Sequence, residues 1–143
     1  LSGVAEGLQR SGWADVPVVA VETQGADSLA QAMQARERIT LPAITSLATS
    51  LGARQVCQQA FDLTSLRSIQ SAVVSDQAAV AACLRFADDH RLVVEPACGA
   101  ALAAVYGHLP ALEAFDSVLV VVCGGVTATL AQLQAWSAQL QSR

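Results

Sequence analysis

The sequence predicts an α/β fold with a mostly parallel sheet and helices on both faces, and three observations carry that prediction. Val118-Leu119-Val120-Val121-Val122 is an unbroken apolar run, the pattern of a strand covered on both sides, as strands of parallel sheets are. Shorter apolar runs recur at Val16–Val21, Ala72–Val74 and Leu92–Val94. Between the runs lie helix caps and helix stops, and this alternation is the signature of a parallel sheet. Right-handed crossovers then place helices over both faces.

Each element has its own local reason. Val4 to Ser11 reads as the end of a helix closed by Gly12, and Val16–Val21 is strand-like despite Pro17. Glu22 to Ala26 is a loop, after which Asp27 or Ser28 caps a helix to about Arg36. Pro42 opens a predicted short helix, Ala43–Ser50, stopped at Gly52. Arg54–Cys57 is a candidate short strand, and Ala72–Val74 is another, followed by Ser75 as N-cap of a helix to about His90. Leu92–Val94 is apolar again, and Glu95-Pro96 begins an alanine-rich helix through Tyr106 with no polar face. Such a helix must be buried. After Val118–Val122 and Cys123-Gly124-Gly125, a last helix runs to about Gln141.

The 143 residues suit one domain with a real core. Hydrophobic residues make up 53% of the chain, which excludes disorder. The uncharged stretch from Ser117 to Ser142 is long enough to span a bilayer. Its four glutamines and Gly-Gly break argue for a soluble protein instead. A net charge of −4 with scattered arginines offers no basic stripe, so nucleic acid is not an expected partner. Cys57, Cys83, Cys98 and Cys123 form no C-x-x-C pair, so zinc is not expected and free thiols in the cytoplasm are the default. The chain contains no lysine.

Parallel strands place ligands beyond their carboxyl ends, which gathers Glu22, Cys57, Ser75 and Cys123 on one side. Cys123 is either a small core residue or a ligand contact, because free cysteine is commonly buried. Gly124-Gly125 is either a plain turn or a helix entry whose N–H groups face a ligand; it lacks the third glycine of a dinucleotide fingerprint. Glu22 is either solvated or, with the carbonyls and hydroxyl around Gly25, Ala26 and Ser28, part of an oxygen cage for a hard cation. Glu95 at a helix start is explained by the helix dipole. Asp88-Asp89 reads as a solvated helix end, Trp13 and Trp136 as packing residues, and His90 and His108 lack partners for a hydrolytic triad.

Five segments in order then matter together. They are Val21-Glu22-Thr23-Gln24-Gly25-Ala26-Asp27-Ser28, Leu41-Pro42-Ala43-Ile44-Thr45-Ser46-Leu47-Ala48, Val74-Ser75-Asp76-Gln77-Ala78-Ala79-Val80, Val94-Glu95-Pro96-Ala97-Cys98-Gly99-Ala100-Ala101-Leu102, and Val121-Val122-Cys123-Gly124-Gly125. They cover nearly the whole chain, and on them it resembles the serine/threonine dehydratase family of pyridoxal-phosphate enzymes, the short L-serine dehydratase type above all. The resemblance implies the type II pyridoxal-phosphate fold, with residues 1–143 as the carboxyl-terminal part of its large, cofactor-binding domain. It implies that the Cys123 sulfur faces the pyridine nitrogen, with Gly124 beside the cofactor. It implies a monovalent-cation site, for potassium, from Glu22, the carbonyls of Ala26, Leu51 and Ala53, and the Ser28 hydroxyl. The implied reaction is β-elimination on L-serine, giving pyruvate and ammonia, or on L-threonine, giving 2-oxobutyrate.

A thiol is too weak an acid to hold a pyridine nitrogen protonated as a carboxylic acid does, which moderates the cofactor as an electron sink and suits elimination. The family's cofactor-binding lysine has no counterpart in this sequence. The expectation is therefore a fragment, inactive alone, that associates with a missing amino-terminal half and forms a homodimer. A non-catalytic partner or oligomerisation module of the same fold is the alternative. Threonine synthases and amino-acid racemases more often carry Ser or Thr where this chain has Cys123.

Overall fold

The computed structural model describes residues 1–142. Helix α1 (Ser2–Arg10) leads to strand β1 (Val18–Thr23), helix α2 (Ser28–Ala35), a 3₁₀ turn at Thr49–Leu51 and helix α3 (Gln58–Leu66). Strand β2 (Ile69–Val74), helix α4 (Asp76–His90), helix α5 (Pro96–Tyr106), a 3₁₀ turn at Pro110–Leu112 and helix α6 (Leu130–Gln141) complete the chain. β1 and β2 pair in parallel, from Val18 against Ile69 to Thr23 against Val74.

Side chains alternate across a strand, and the two faces of β1 meet different helices. Ala20 packs with Leu29, Ala32 and Met33 of α2 and Phe61 of α3. Val19 and Val21 face Ala101, Ala104 and Val105 of α5 across an apolar cleft. Helices thus cover both faces, as predicted. The larger core lies among α4, α5 and α6, around Cys83, Phe86, Cys98, Leu102 and Leu133. Ala100, Ala103 and Ala104 of α5 are buried and Ala97 and Ala101 partly so, as the helix's lack of a polar face required.

Local signals at helix starts held well. Ser75 Oγ accepts the Ala78 N–H at 3.1 Å, and Pro96 opens α5 where its missing N–H costs nothing. Ser75→Ala is expected to lower stability by about 1 kcal/mol, measured as a shift in the urea midpoint. Asp27 stands at the N-cap of α2 but makes no side-chain capping bond.

Four expectations are corrected. Ala43–Ser50 is not a helix: the Thr45 N–H donates to the Gly25 carbonyl at 3.0 Å, and Asp76 holds Ser46 and Leu47. Those long-range bonds replace the local ones that Pro42 would have started, leaving only the Thr49–Leu51 turn. Arg54–Cys57 is a loop, fixed by the Leu41 N–H to the Arg54 carbonyl and the Arg54 Nε–H to the Leu41 carbonyl. Leu92–Val94 is not a strand, although Val94 is buried.

Val118–Val122 is likewise not a strand, and it is not covered: Leu119 is 86% exposed and Val121 51%. Its Val118–Val121 portion lies across a cleft of about 250 Å³ from β1, with Val4, Leu8 and Phe115 at the margin. A strand needs a neighbour at hydrogen-bonding spacing, and no described residues fill that gap. Helix α3 was not anticipated, because Gln58–Leu66 mixes polar and apolar residues without a strong stripe. Trp13 is 58% exposed instead of packed, whereas Trp136 does pack on the larger core. No helix among the described residues is long and apolar enough to cross a membrane.

Candidate functional site

At the carboxyl ends of β1 and β2 three loops are laced together by polar side chains. Ser46 Oγ donates to Asp76 Oδ1 at 2.5 Å, so the Thr23 hydroxyl is the donor of its own 2.7 Å bond to Ser46. Ser46 Oγ also accepts the Ala48 N–H, and Asp76 Oδ2 accepts the Leu47 N–H, both at 2.9 Å. Thr23 and Ser46 are buried, and this arrangement leaves neither hydroxyl without a partner. The chain from Thr45 to Ala48 is therefore fixed against the strand ends.

Glu22, on the α2 side of β1, is 9% exposed. Its two carboxylate oxygens accept the N–H groups of Leu29 at 2.9 Å and Ala30 at 2.8 Å. They cap the first turn of α2, where a negative charge also meets the positive end of the helix dipole. Burial pushes the Glu22 carboxyl above its ordinary range, and the two N–H groups oppose that shift without overcoming it. Between Glu22 and α2, Gly25 has φ +84°, and a Cβ there would run into the Thr45 side chain. Only glycine fits that turn.

On the other side of the site, the Gly124 carbonyl accepts the Glu95 N–H at 3.0 Å. Gly125 lies directly against the Val93 carbonyl and the Val94 backbone, with no room for a side chain. Glu95 Oε2 accepts the Thr127 hydroxyl at 2.7 Å and the Thr127 N–H at 3.3 Å. The Thr127 hydroxyl and the Ser50 hydroxyl hold the Glu95 carboxyl below the usual carboxylate range. Gly124 and Thr127 thus meet at Glu95, the first through its N–H and the second through its carboxylate, while the Thr49–Leu51 turn packs against α5.

The structure thus sorts the predicted residues. Cys123 is exposed, which decides against the buried-core reading. Cys83 and Cys98 are the core thiols, and burial pushes Cys83 up to about 12. Cys57 heads α3 and does not end a strand. Glu22, Ala26 and Ser28 form a buried group at the end of β1. The Leu51 carbonyl accepts the Ala53 N–H at 2.8 Å. The roles of Thr23, Ser46, Asp76 and Glu95 were not seen in the sequence. An acidic residue at a helix start looks the same whether it serves only its own helix or a distant loop.

A hard cation finds suitable donors here. Each Glu22 oxygen keeps a lone pair beyond the one used by α2, and the other candidate donors are carbonyl and hydroxyl oxygens. For a pyridine ring the suitable donor is the exposed Cys123 thiol on its doubly anchored turn. The chain has no lysine to bind an aldehyde.

Parallel strands, helices on both faces and a polar loop cluster at the strand ends define an α/β architecture of the kind that binds cofactors. The chain belongs to the family of pyridoxal-phosphate dependent enzymes, whose pattern it matches over residues 1–124. It is 50% identical to the human protein L-serine dehydratase/L-threonine deaminase over 148 aligned positions, covering 98% of this chain and 45% of that protein. Against the L-serine dehydratase of Dictyostelium discoideum identity is 38%, over 92% of this chain and 39% of the relative.

The crystal structure of a fungal L-serine ammonia-lyase from Rhizomucor miehei superposes with TM-score 0.89 and 35% identity, over 96% of this chain and 45% of that one. Maize serine racemase superposes with TM-score 0.78 and 25% identity, over 99% of this chain and 44% of the racemase. The fold is that of the type II pyridoxal-phosphate enzymes. The chain spans less than half the length of these relatives.

Proposed function

We propose that this chain supplies the carboxyl-terminal part of the cofactor-binding domain of an L-serine and L-threonine dehydratase. The net reactions are L-serine to pyruvate plus ammonia and L-threonine to 2-oxobutyrate plus ammonia. The observation that carries this reading is the exposed Cys123 thiol, followed directly by Gly124 bonded to Glu95 and Gly125 seated on the Val93 carbonyl. The names of the relatives, L-serine dehydratase/L-threonine deaminase and L-serine ammonia-lyase, support the substrate class.

Bound pyridoxal phosphate supplies the electron sink that lets the β-hydroxyl of the amino acid leave. Cys123 would face the ring nitrogen with its sulfur and orient the ring. Glu22, Ala26, Ser28, Leu51 and Ala53 would hold potassium through their oxygens, which would fix the Glu22 loop against the Leu51 turn. The cofactor-binding lysine and most substrate contacts belong to the remainder of the relatives' length. The apolar cleft beside β1 receives that remainder, because an open parallel edge lined by valines is stable only when covered. A homodimer in the reducing cytoplasm suits the exposed apolar residues and the free thiols.

The test is to produce this chain together with a polypeptide supplying the rest of that length, and to measure ammonia released from L-serine. Activity is expected from the pair and none from the chain alone. In the pair, Cys123→Ala is expected to weaken pyridoxal-phosphate binding about tenfold while stability moves by less than about 0.5 kcal/mol, since the side chain is exposed. Unchanged cofactor affinity would remove Cys123 from the site. A non-catalytic module of the same fold is the second reading, favoured by the absence of lysine. It predicts a stable pair that releases no ammonia.

A further inference from the structure

We infer that Glu95 is a positioning residue for Cys123, a role that rests on the proposed contact between Cys123 and the cofactor. Two points of the segment that carries Cys123 converge on this one residue. Its N–H donates to the Gly124 carbonyl at 3.0 Å, immediately after Cys123. Its Oε2 accepts both the hydroxyl and the N–H of Thr127, immediately after the Gly125-Val126 step. The Thr49–Leu51 turn packs against the helix that Glu95 caps.

The need for such a clamp is visible in the surroundings. Val118–Val122 gives Cys123 no strand to extend from, and Val121, Val122 and Val126 are exposed, so core packing resumes only at Val120 on one side and Ala128 on the other. Between those points the turn is held by the seat of Gly125 on the Val93 carbonyl, the Ala128 N–H on the Gly125 carbonyl and the bonds to Glu95. Glu95 itself is rigid: it is the N-cap of α5, and Pro96 at the next position fixes the backbone. Charge-assisted bonds from a fixed carboxylate hold a turn better than neutral ones do.

Amide hydrogen exchange on the 143-residue chain reads the clamp without any cofactor. Glu95→Ala is expected to speed exchange at the amides of residues 123–127 about tenfold, with the amides in the middle of α4 unchanged. Glu95→Gln keeps an acceptor for the Thr127 hydroxyl and is expected to restore most of the protection. Equal exchange in Glu95→Ala and the parent chain at residues 123–127 would overturn the inference.

In the active pair, Glu95→Ala is expected to weaken cofactor binding about tenfold, and to add nothing further in a Cys123→Ala background. Additive losses in the double variant would show that Glu95 acts on the cofactor by another route. If Cys123→Ala binds cofactor normally while Glu95→Ala still loosens residues 123–127, the clamp on the turn stands and the cofactor reading of Cys123 fails.

Discussion

Glu22→Ala is expected to lower stability by about 3 kcal/mol and to abolish stabilisation of the protein by potassium. The variant strips the first turn of α2 of its acceptors, leaving the Leu29 and Ala30 N–H groups without partners. A bond to a charged group is worth about 1.5–3 kcal/mol, and an unsatisfied buried donor costs about 1–3 kcal/mol. Water reaching the cavity offsets part of the sum. Glu22→Gln keeps one acceptor and is expected to lose about half as much.

The pH dependence has a definite sign. Because burial raises the Glu22 carboxyl in the folded chain, folding favours its protonated form, and ionising it costs stability. That cost is fully present above the folded value and is relieved as pH falls toward the ordinary carboxylate value. Relative to Glu22→Gln, the parent chain should therefore gain stability on acidification through that window. Urea midpoints of the two proteins as a function of pH check this. A parent that loses stability relative to Glu22→Gln over that range would contradict the assignment of burial as the dominant cause. For the cation, melting temperatures in potassium and in a large organic cation decide. If Glu22→Ala still melts higher in potassium, the ion sits elsewhere.

Gly125→Val is expected to be at least as damaging, for a different reason. The new Cβ would overlap the Val93 carbonyl and the Val94 backbone, and neither can swing aside as a side-chain tip can. Either the turn lifts off the start of α5 or Val94 leaves the core it packs in. Overpacking costs about 1–3 kcal/mol where side chains can adjust, and a backbone collision lies at or above the top of that range. Lifting the turn also carries Cys123 with it. Cofactor affinity in the active pair is therefore expected to fall at least about tenfold, beyond the effect of Cys123→Ala. A variant with wild-type melting temperature and wild-type cofactor affinity would show that the close approach at Gly125 is dispensable.

Much of the fold was legible in the residues because the relevant physics is local. Ser75 caps α4, Pro96 opens α5, and the alanine-rich character of α5 forced its burial. Val18–Thr23 formed its strand with Glu22 at the end. The misreadings share one cause. Pro42 and Gly52 are valid helix punctuation, yet Asp76, thirty residues downstream of Ser46, binds the segment between them. Val118–Val122 has the composition of a strand but not the neighbour that would make it one. Resemblance to the serine/threonine dehydratases singled out Glu22 and Cys123 as candidates, but the acceptors that hold their loops are commonplace residues in sequence.

The sequence by itself determined the periodicities, the helix starts, the glycine turns and the family, because each depends on residue type and near spacing. Tertiary structure alone decided that Glu22 caps α2, that Ser46 bridges Thr23 to Asp76, and that Glu95 gathers Gly124 and Thr127. Hydrogen-bond partners 23 to 32 residues apart leave no local signature, since a carboxylate takes whichever donors the packed chain brings within about 3 Å.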